Sequence, residues 1–405
     1  MHKKTAFCLA LFLILNFPTG YAQNKKIASF PFEMVGSYAV VKAKINRSTP
    51  LNLILDSGIK HTLISELFED DNVPLNYTDT VAMQGLGNEY ELKAFRSQDN
   101  TIKIGKLQLQ KSTVYFLQKD IFNLSVILGQ KINGIIGSDI FKNYVVDINY
   151  GSMKITVYSP EKYTAPEKYE WLPMETSPLN KMFITVKVKE EHNEEYKDVK
   201  ALLDTGAETT AWFQTIRADN RVKMSDKRVY GVIGEGLNGE ILGNYSRLKE
   251  LCIGSYCIPN PIVAFPDSAA IAGTLQFTNR DGSVGSQILK RFNMIFDYRN
   301  KRFYFVKNRF FKDPFEYNIA GIELRQEVLF FPIFEVDKVW KNSKAQKAGI
   351  KVGDMIFEID GEKTYFKTLA EIRKIFSTPS KRPLNLYIKR EEKFITLKLD
   401  MQDEL

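Results

Sequence analysis

The sequence predicts a mainly β protein in which two homologous lobes, related by a pseudo-twofold axis, precede a C-terminal α+β domain. Three observations support this fold class. The 405-residue chain contains a long internal repeat, each copy is a series of short apolar runs separated by Gly and Asn turns, and the pattern changes after Glu323. Hydrophobic residues make up 44% of the chain and charged residues 26%, which is typical of a globular protein.

Two copies of one pattern make up most of the chain. The triplets DSG at 56–58 and DTG at 204–206 lie 148 residues apart, and 102–116 matches 251–265 at an offset of 149. A register held over this length indicates a duplication with one inserted residue. We therefore predict a first lobe over 23–160, a linker over 161–171, a second lobe over 172–312 and a third domain over 313–402.

Each copy is composed mainly of strand-like runs. Only two pieces have a helix-like pattern, ISELFED at 64–70 and SDIFKNY at 138–144. The segment 159–171 is rich in proline and charge and lacks an apolar period, which favours a linker.

The N-terminus predicts export. Basic residues at 3 and 4, an apolar run over 6–15 and small residues before Gln23 are typical of a signal peptide spanning 1–22. We expect a periplasmic or secreted monomer without a membrane span, since no later run replaces this one. The net charge of +8 is spread as single basic residues among acids, which argues against a nucleic-acid partner.

Two cysteines remain after removal of that segment. Cys252 and Cys257 flank Gly254-Ser255, which suits a two-residue hairpin turn. In such a hairpin the two cysteines form a non-hydrogen-bonded pair, whose close Cα spacing permits a disulfide. Two free thiols are the alternative, because a register shift of one residue separates them.

The repeated triplets place one acid, Asp56 or Asp204, at the end of an apolar run in each copy. Two equivalent lobes packed about a twofold axis bring such acids together, and two carboxyls in contact cannot both ionise readily. A pair that shares one proton can deprotonate water while protonating a substrate carbonyl. The triplets also supply glycines for a close turn and hydroxyls for bonds across the axis, namely Gly58, Gly206, Ser57 and Thr205.

The paired D-[ST]-G motifs, each followed by an apolar-Gly motif, resemble the pepsin/retropepsin-like aspartic proteases over about residues 30–308. The resemblance implies that Asp56 and Asp204 are catalytic, that the substrate is a peptide or protein, and that neither a cofactor nor a metal takes part. The apolar-apolar-Gly motif is complete at 135–137, whereas Ser283 departs from the pattern at 283–285.

The same resemblance implies substrate-contacting residues. The family closes a glycine-rich hairpin over the peptide, and 83–90 and 232–240 are the matching segments. Lys60 and Glu208, just past the triplets, differ in charge, so we expect the two halves of the cleft to read the peptide differently. The full set of substrate-contact candidates is Ile59, Lys60, Ala207, Glu208, Gly85, Gly87, Gly234 and Gly236.

The residue after each triplet bears on pH. Pepsins usually carry Ser or Thr there, whereas this chain has Ile59 and Ala207, which have no side-chain donor. Loss of a donor to the charged carboxylate raises its pKa. We therefore expect a pH optimum in the weakly acidic to neutral range.

The C-terminal segment resembles a PDZ domain of the bacterial pattern. It shows a strand near 321–324, a short helix at 345–348, the tight turn at 360–361 and an amphipathic helix over 368–377. PDZ domains add a peptide strand to a sheet edge beside a helix. The glycine-containing loop that binds a C-terminal carboxylate in that family is not visible, and 325–334 takes its place.

These observations predict an exported aspartic endopeptidase with a PDZ domain for peptide or partner binding. A catalytically inactive peptide-binding or scaffold protein of the same fold is the alternative.

Overall fold

The computed structural model describes residues 24–74, 76–83, 92–216, 222–236, 239–276, 279–326, 328 and 331–405. The predicted signal peptide over 1–22 lies outside these residues. The described structure is mostly β, as the sequence predicts. No described helix has the length and hydropathy needed to cross a membrane.

The first lobe is formed by short strands with two short helices. Its elements are β1 (Lys26–Pro31), β2 (Glu33–Val35), β3 (Tyr38–Ile45), β4 (Leu51–Leu55), β5 (Thr62–Ile64), β6 (Tyr77–Met83), β7 (Leu92–Ile104), β8 (Leu107–Leu117), α1 (Leu124–Leu128), β9 (Gly134–Ile136), α2 (Asp139–Asn143), β10 (Val145–Asn149) and β11 (Lys154–Tyr158).

The second lobe follows a similar order. Its elements are β12 (Glu170–Pro173), β13 (Glu175–Thr176), β14 (Met182–Lys189), β15 (Tyr196–Leu203), β16 (Ala211–Phe213), β17 (Arg228–Gly236), β18 (Gly239–Arg247), β19 (Glu250–Ile253), β20 (Tyr256–Pro259), β21 (Ile262–Pro266), α3 (Ser268–Gln276), β22 (Gly282–Val284), α4 (Ser286–Leu289), β23 (Phe292–Asp297) and β24 (Arg302–Lys307).

The C-terminal domain combines a separate sheet with short helices. Its elements are β25 (Ile322–Arg325), β26 (Phe334–Val339), α5 (Lys344–Lys347), β27 (Met355–Ile359), β28 (Glu362–Lys363), a 3-10 helix (Thr364–Phe366), α6 (Leu369–Phe376), β29 (Leu384–Arg390) and β30 (Lys393–Leu399).

The two lobes share a central sheet with the strand order β1-β11-β10-β23-β24-β12. Asp147 on β10 pairs with Ile295 on β23, and these positions are 148 residues apart, the offset of the repeat. A residue that faces its own repeat counterpart in an antiparallel pair lies beside a twofold axis. The predicted pseudo-twofold axis therefore passes between β10 and β23.

This shared sheet joins the predicted domains. One hydrophobic core contains buried side chains from both lobes, for example Phe141 and Phe296, whose rings meet edge to face. The last two residues of the predicted linker over 161–171 belong to a strand, since Glu170 and Trp171 begin β12 and pair with β24.

Each lobe also has its own sheet, in which parallel and antiparallel pairs meet behind the aspartate. Strand β9 pairs parallel with β4 and antiparallel with β5. Strand β22 makes the same two pairings with β15 and β16. Buried strands of this kind require apolar residues on both faces, which explains the runs that precede each triplet.

The prediction of a helix over 64–70 is wrong. Ile64 ends strand β5, and 65–68 has no regular structure. The cause is tertiary pairing, because β5 lies between β8 and β9 and its side chains are fully buried. The other helix-like piece forms α2.

The cysteine pair lies in the predicted hairpin. Strands β19 and β20 place Cys252 opposite Cys257, and the structure joins the two sulfur atoms in a disulfide. Gly254 in the turn has φ of 56°, a left-handed conformation that glycine adopts without strain.

The C-terminal domain has its own core. Leu369, Ile372 and Phe376 line the buried face of α6 and pack with strands of the sheet β25-β26-β27-β29-β30. Helix α6 starts with a capping box, in which Thr368 and Glu371 satisfy the free N–H groups of the first turn.

Candidate active site

The two aspartates occupy equivalent turns at the ends of β4 and β15. Asp56 donates its backbone N–H to the carbonyl of Ile136 on β9, and Asp204 donates to the carbonyl of Val284 on β22, both at 3.0 Å. The second loop is therefore held by the same bond as the first, despite the departure at Ser283.

Ser57 and Thr205 link the two loops across the axis. The Ser57 hydroxyl donates to the Leu203 carbonyl at 2.7 Å, and the Thr205 hydroxyl donates to the Leu55 carbonyl at 2.8 Å. Each hydroxyl also accepts the other residue's backbone N–H, at 3.1 and 3.0 Å. Both side chains are fully buried, so this reciprocal set of bonds fixes the two loops against each other.

The glycines let each loop approach the opposite acid. A Cβ atom on Gly206 would lie 2.1 Å from Cγ of Asp56, and one on Gly58 would lie 2.7 Å from Oδ1 of Asp204. A larger residue at either position would displace the carboxyl. The close approach therefore requires glycine and brings the acids together, as the sequence predicts.

Burial and the nearby charge of Asp204 raise the pKa of Asp56 from 3.8 to about 8. The Gly58 N–H, which donates to Asp56 Oδ1 at 2.5 Å, opposes this shift. Asp56 is therefore the acid that keeps its proton at neutral pH.

Asp204 has a different electrostatic environment. Burial raises its pKa as well, but the charges of Arg280 and Lys181, the Gly206 N–H and a hydrogen bond with the Asp56 carboxyl all lower it. We assign the negative charge of the pair to Asp204 for this reason.

Sequence reasoning missed Arg280 and Lys181. A signal was available for Arg280, because Ile132 stands 148 residues earlier at the same place in the first copy. Burying a charge is costly, so a charged residue in place of a buried apolar counterpart marks a physical difference between the two copies.

The cleft above the acids has a volume of about 1020 Å³ and is lined by both lobes and by the C-terminal domain. Several of the predicted substrate-contact residues lie in its lining, namely Ile59, Lys60, Ala207, Glu208, Gly234 and Gly236. Gly85 and Gly87 lie outside the described residues. Strands β6 and β7 lead towards that segment, and β17 and β18 form the matching hairpin of the second lobe.

Two family models match parts of the chain. Residues 41–140 match the family model for aspartyl proteases, and residues 335–390 match the model for PDZ domains. The chain carries an aspartyl protease domain and a PDZ domain. No curated protein matches the sequence.

Solved structures were matched as well. One match is the aspartic proteinase from Irpex lacteus, which is 15% identical, with 71% of this chain and 98% of that chain covered and a TM-score of 0.43.

The PDZ domain packs against the hairpin of the second lobe. Trp340 stacks on Tyr245 of β18 with ring centroids 6.1 Å apart, and Lys338 pairs with Glu240 at 2.7 Å. A Cβ atom on Gly231 of β17 would lie 2.1 Å from the Trp340 ring, so this contact depends on glycine. The PDZ domain therefore holds one side of the cleft.

The PDZ domain also contacts the first lobe at its edge strand. Strand β25 is bonded to β26 on one side and lies beside α6 on the other. The Gln326 N–H donates to the carbonyl of Val126 in α1 at 3.2 Å, and Arg373 donates to the Leu324 carbonyl at 2.9 Å. Part of the strand edge expected to bind a peptide is therefore bonded within the chain.

Proposed function

We propose that the protein is an exported aspartic endopeptidase in which Asp56 and Asp204 share one proton and activate a water molecule. The observation that carries this proposal is the reciprocal bonding of Ser57 and Thr205, which holds two partly buried acids together at the floor of a cleft. A cleft of about 1020 Å³ accommodates several residues of an extended peptide.

The unequal environments assign the two roles. Asp204, with the cationic neighbours Arg280 and Lys181, accepts a proton from the attacking water. Asp56, with its raised pKa, donates its proton to the substrate carbonyl oxygen. Breakdown of the resulting tetrahedral intermediate cleaves the C–N bond and requires a proton on the departing nitrogen, which the acid pair supplies.

In this proposal the PDZ domain binds a peptide or partner strand as well as forming a cleft wall. Strand addition at β25 competes with the bond between Gln326 and Val126. Binding of a ligand there therefore competes with contact between the PDZ domain and the first lobe.

Cleavage of a peptide library by the wild type, Asp56→Asn and Asp204→Asn tests the proposal. We expect each substitution to reduce kcat/KM by at least roughly 10³-fold, because each removes one half of the proton transfer. Asp147→Asn is the matched control, since Asp147 lies in the central sheet outside the cleft lining. Cleavage that survives either dyad substitution excludes the mechanism.

The scaffold alternative predicts a different result from the same proteins. If the wild type binds peptides without cleaving them, the chain is a peptide-binding protein of this fold. Export is tested by N-terminal sequencing of protein secreted from an expressing cell, and we expect the mature chain to begin at Gln23.

A further inference from the structure

Arg280 is a buried cation with few bonds. Its side chain is 2% exposed, stacks over the Trp212 ring at 4.9 Å and donates one hydrogen bond, from Nη1 to Ser283 Oγ at 3.2 Å. Its Nε has no partner among the described residues. Burial without bonding is costly for a group with five N–H donors.

A second buried arginine in the same lobe shows what a structural role looks like. Arg291 donates hydrogen bonds to backbone carbonyls from Nε, Nη1 and Nη2, which ties down the segment after β24. Its acceptors are the carbonyls of Gln287, Phe310, Phe311, Asp313 and Pro314. Arg280 has no comparable set among the described residues, and it faces the cleft instead.

The first lobe shows what the same position looks like without the cation. Strand pairing places Ile135 beside Leu63, and Ser283 beside Trp212, so these pairs are counterparts. Ile132 lies at the position of Arg280. The apolar residues Leu63, Ile135 and Ile132 of the first lobe therefore correspond to Trp212, Ser283 and Arg280 of the second. The departure at Ser283 is thus explained, since its hydroxyl accepts the bond from Arg280.

Lys181 belongs to the same feature. Two residues further along, Phe183 pairs with Leu202, as Val40 pairs with Ile54 in the first lobe. This makes Lys181 the counterpart of Tyr38. Lys181 lines the cleft and its charge interacts with that of Arg280.

Among the described residues, no carboxylate forms an ion pair with either Arg280 or Lys181. Burial lowers the pKa of Arg280 only to about 10, so it carries its charge at neutral pH. The two cations exceed the single negative charge of a pair of acids that shares one proton. Beside the two acids, Arg280 and Lys181 therefore leave room for one further anion in electrostatic terms.

We propose that Arg280 and Lys181 form a carboxylate-binding subsite, which selects peptide substrates with an Asp or Glu side chain close to the scissile bond. This inference rests on the proposed function, since there is a scissile bond only if the protein cleaves peptides. The guanidinium supplies the directed N–H donors for a carboxylate, and the Lys181 ammonium adds a second charge.

Matched peptides test the subsite. Glu and Gln have nearly the same shape, so peptides that differ only by Glu or Gln at one position next to the cleaved bond isolate the charge. We expect the wild type to favour Glu over Gln by about 10- to 100-fold in kcat/KM at one position. Arg280→Gln should remove most of this preference, and Lys181→Gln part of it.

Two further variants keep the test decisive. The pair Arg280→Ile with Ser283→Ile installs the residues of the first lobe, so it provides a packed apolar alternative if Arg280→Gln folds poorly. Lys142→Gln removes an exposed positive charge elsewhere, on α2, and should leave the preference for Glu intact. A preference unchanged by Arg280→Gln, or absent from the wild type, overturns the proposal.

The source of the carboxylate is tested with the same peptides. Amidation of the C-terminus should leave the preference for Glu unchanged, whereas a preference that disappears on amidation means that the subsite binds a terminal carboxylate and overturns the side-chain assignment.

A binding measurement separates failure of the subsite from failure of the proposed function. Asp56→Asn retains Asp204, Arg280 and Lys181, and fluorescence anisotropy with labelled Glu and Gln peptides reports on the subsite without cleavage. Cleavage by the wild type without a preference for Glu disproves the subsite alone. Preferential binding of the Glu peptide, with no cleavage by the wild type, supports the subsite and disproves the endopeptidase. Equal binding of both peptides by Asp56→Asn, without cleavage by the wild type, disproves both.

Discussion

The two lobes are alike where they touch each other and differ where each faces the cleft. At the axis, Ser57 and Thr205 make the same two bonds in opposite directions. At the positions that Lys181 and Arg280 occupy in the lining of the cleft, the first lobe has Tyr38, which also lines it, and the buried Ile132. A contact across a twofold axis constrains both copies together, whereas a cleft wall constrains neither copy to resemble the other.

The largest expected effect concerns the hydrogen bonds that Ser57 and Thr205 form across the twofold axis. Ser57→Ala and Thr205→Ala each remove a buried hydroxyl and leave backbone groups without partners, so each should lower the free energy of unfolding by about 3 kcal/mol. Chemical denaturation measures this change. Losses of stability that differ strongly between the two variants would contradict the symmetry of these hydrogen bonds.

The disulfide is a difference between the lobes away from the cleft. Cys252 and Cys257 face each other in the second lobe, and Lys103 faces Gln108 at the equivalent pair of the first. Replacing both cysteines by alanine should cost about 2 kcal/mol in denaturation experiments, because a closed loop is released in the unfolded chain. Lys103→Ala with Gln108→Ala is the control and should cost much less.

The pKa of Asp56 predicts how stability depends on pH. A carboxyl whose pKa rises from 3.8 to about 8 on folding holds its proton more tightly in the folded state, so stability falls as pH rises between these values. Asp56→Asn removes this loss and should stabilise the protein at pH 8 by about 1 to 2 kcal/mol. Asp204→Asn should give less, since it also removes the counter-charge of Arg280 and Lys181. An equal gain from both would contradict the assignment of the proton to Asp56.

The acid limb of the activity profile depends on the second lobe. Because Arg280 lowers the pKa of Asp204, Arg280→Gln should move the loss of activity at low pH to a higher pH, with roughly tenfold less activity on that limb. The alkaline limb near pH 8, set by Asp56, should remain in place. A kcat/KM profile from pH 3 to 9 on a neutral peptide measures both, and an unmoved acid limb would refute the role of Arg280.

The smallest expected effect concerns the residues that first suggested an asymmetric cleft. Lys60 and Glu208 both line it, and Glu208 is exposed. Exchanging them, Lys60→Glu with Glu208→Lys, should change relative cleavage of charged peptides by about threefold, since exposed charges are screened. An unaltered cleavage profile would show that neither side chain contacts the substrate.

Much of the fold could be predicted because the internal repeat shows in the constant offset between matching residues. The offset of 148 residues predicts the twofold axis, and the structure places Asp147 opposite Ile295 at that offset. The helix expected over 64–70 failed for the opposite reason. Its local pattern was overridden by pairing of β5 with two strands that are distant in sequence.

The candidate site could be predicted only in part. The triplets gave both acids and their supporting residues, because the close approach of two loops permits few residue types. The arrangement of Arg280, Ser283 and Trp212 could not be predicted from motifs, since it depends on which side chains adjacent strands place on the same face. The packing of Trp340 against Gly231 likewise joins two domains whose sequences give no sign of contact.

By itself, the sequence determined that the chain is duplicated, that each copy presents one acid on a tight turn, and that a different domain follows. These are properties of spacing and residue type, which local chemistry fixes. The tertiary structure alone decided which acid keeps the proton, which lobe places cations beside the acids and which hairpin the PDZ domain contacts. Those outcomes depend on burial and on charges from distant segments, and the electrostatic cost of burial exists only once the chain has folded.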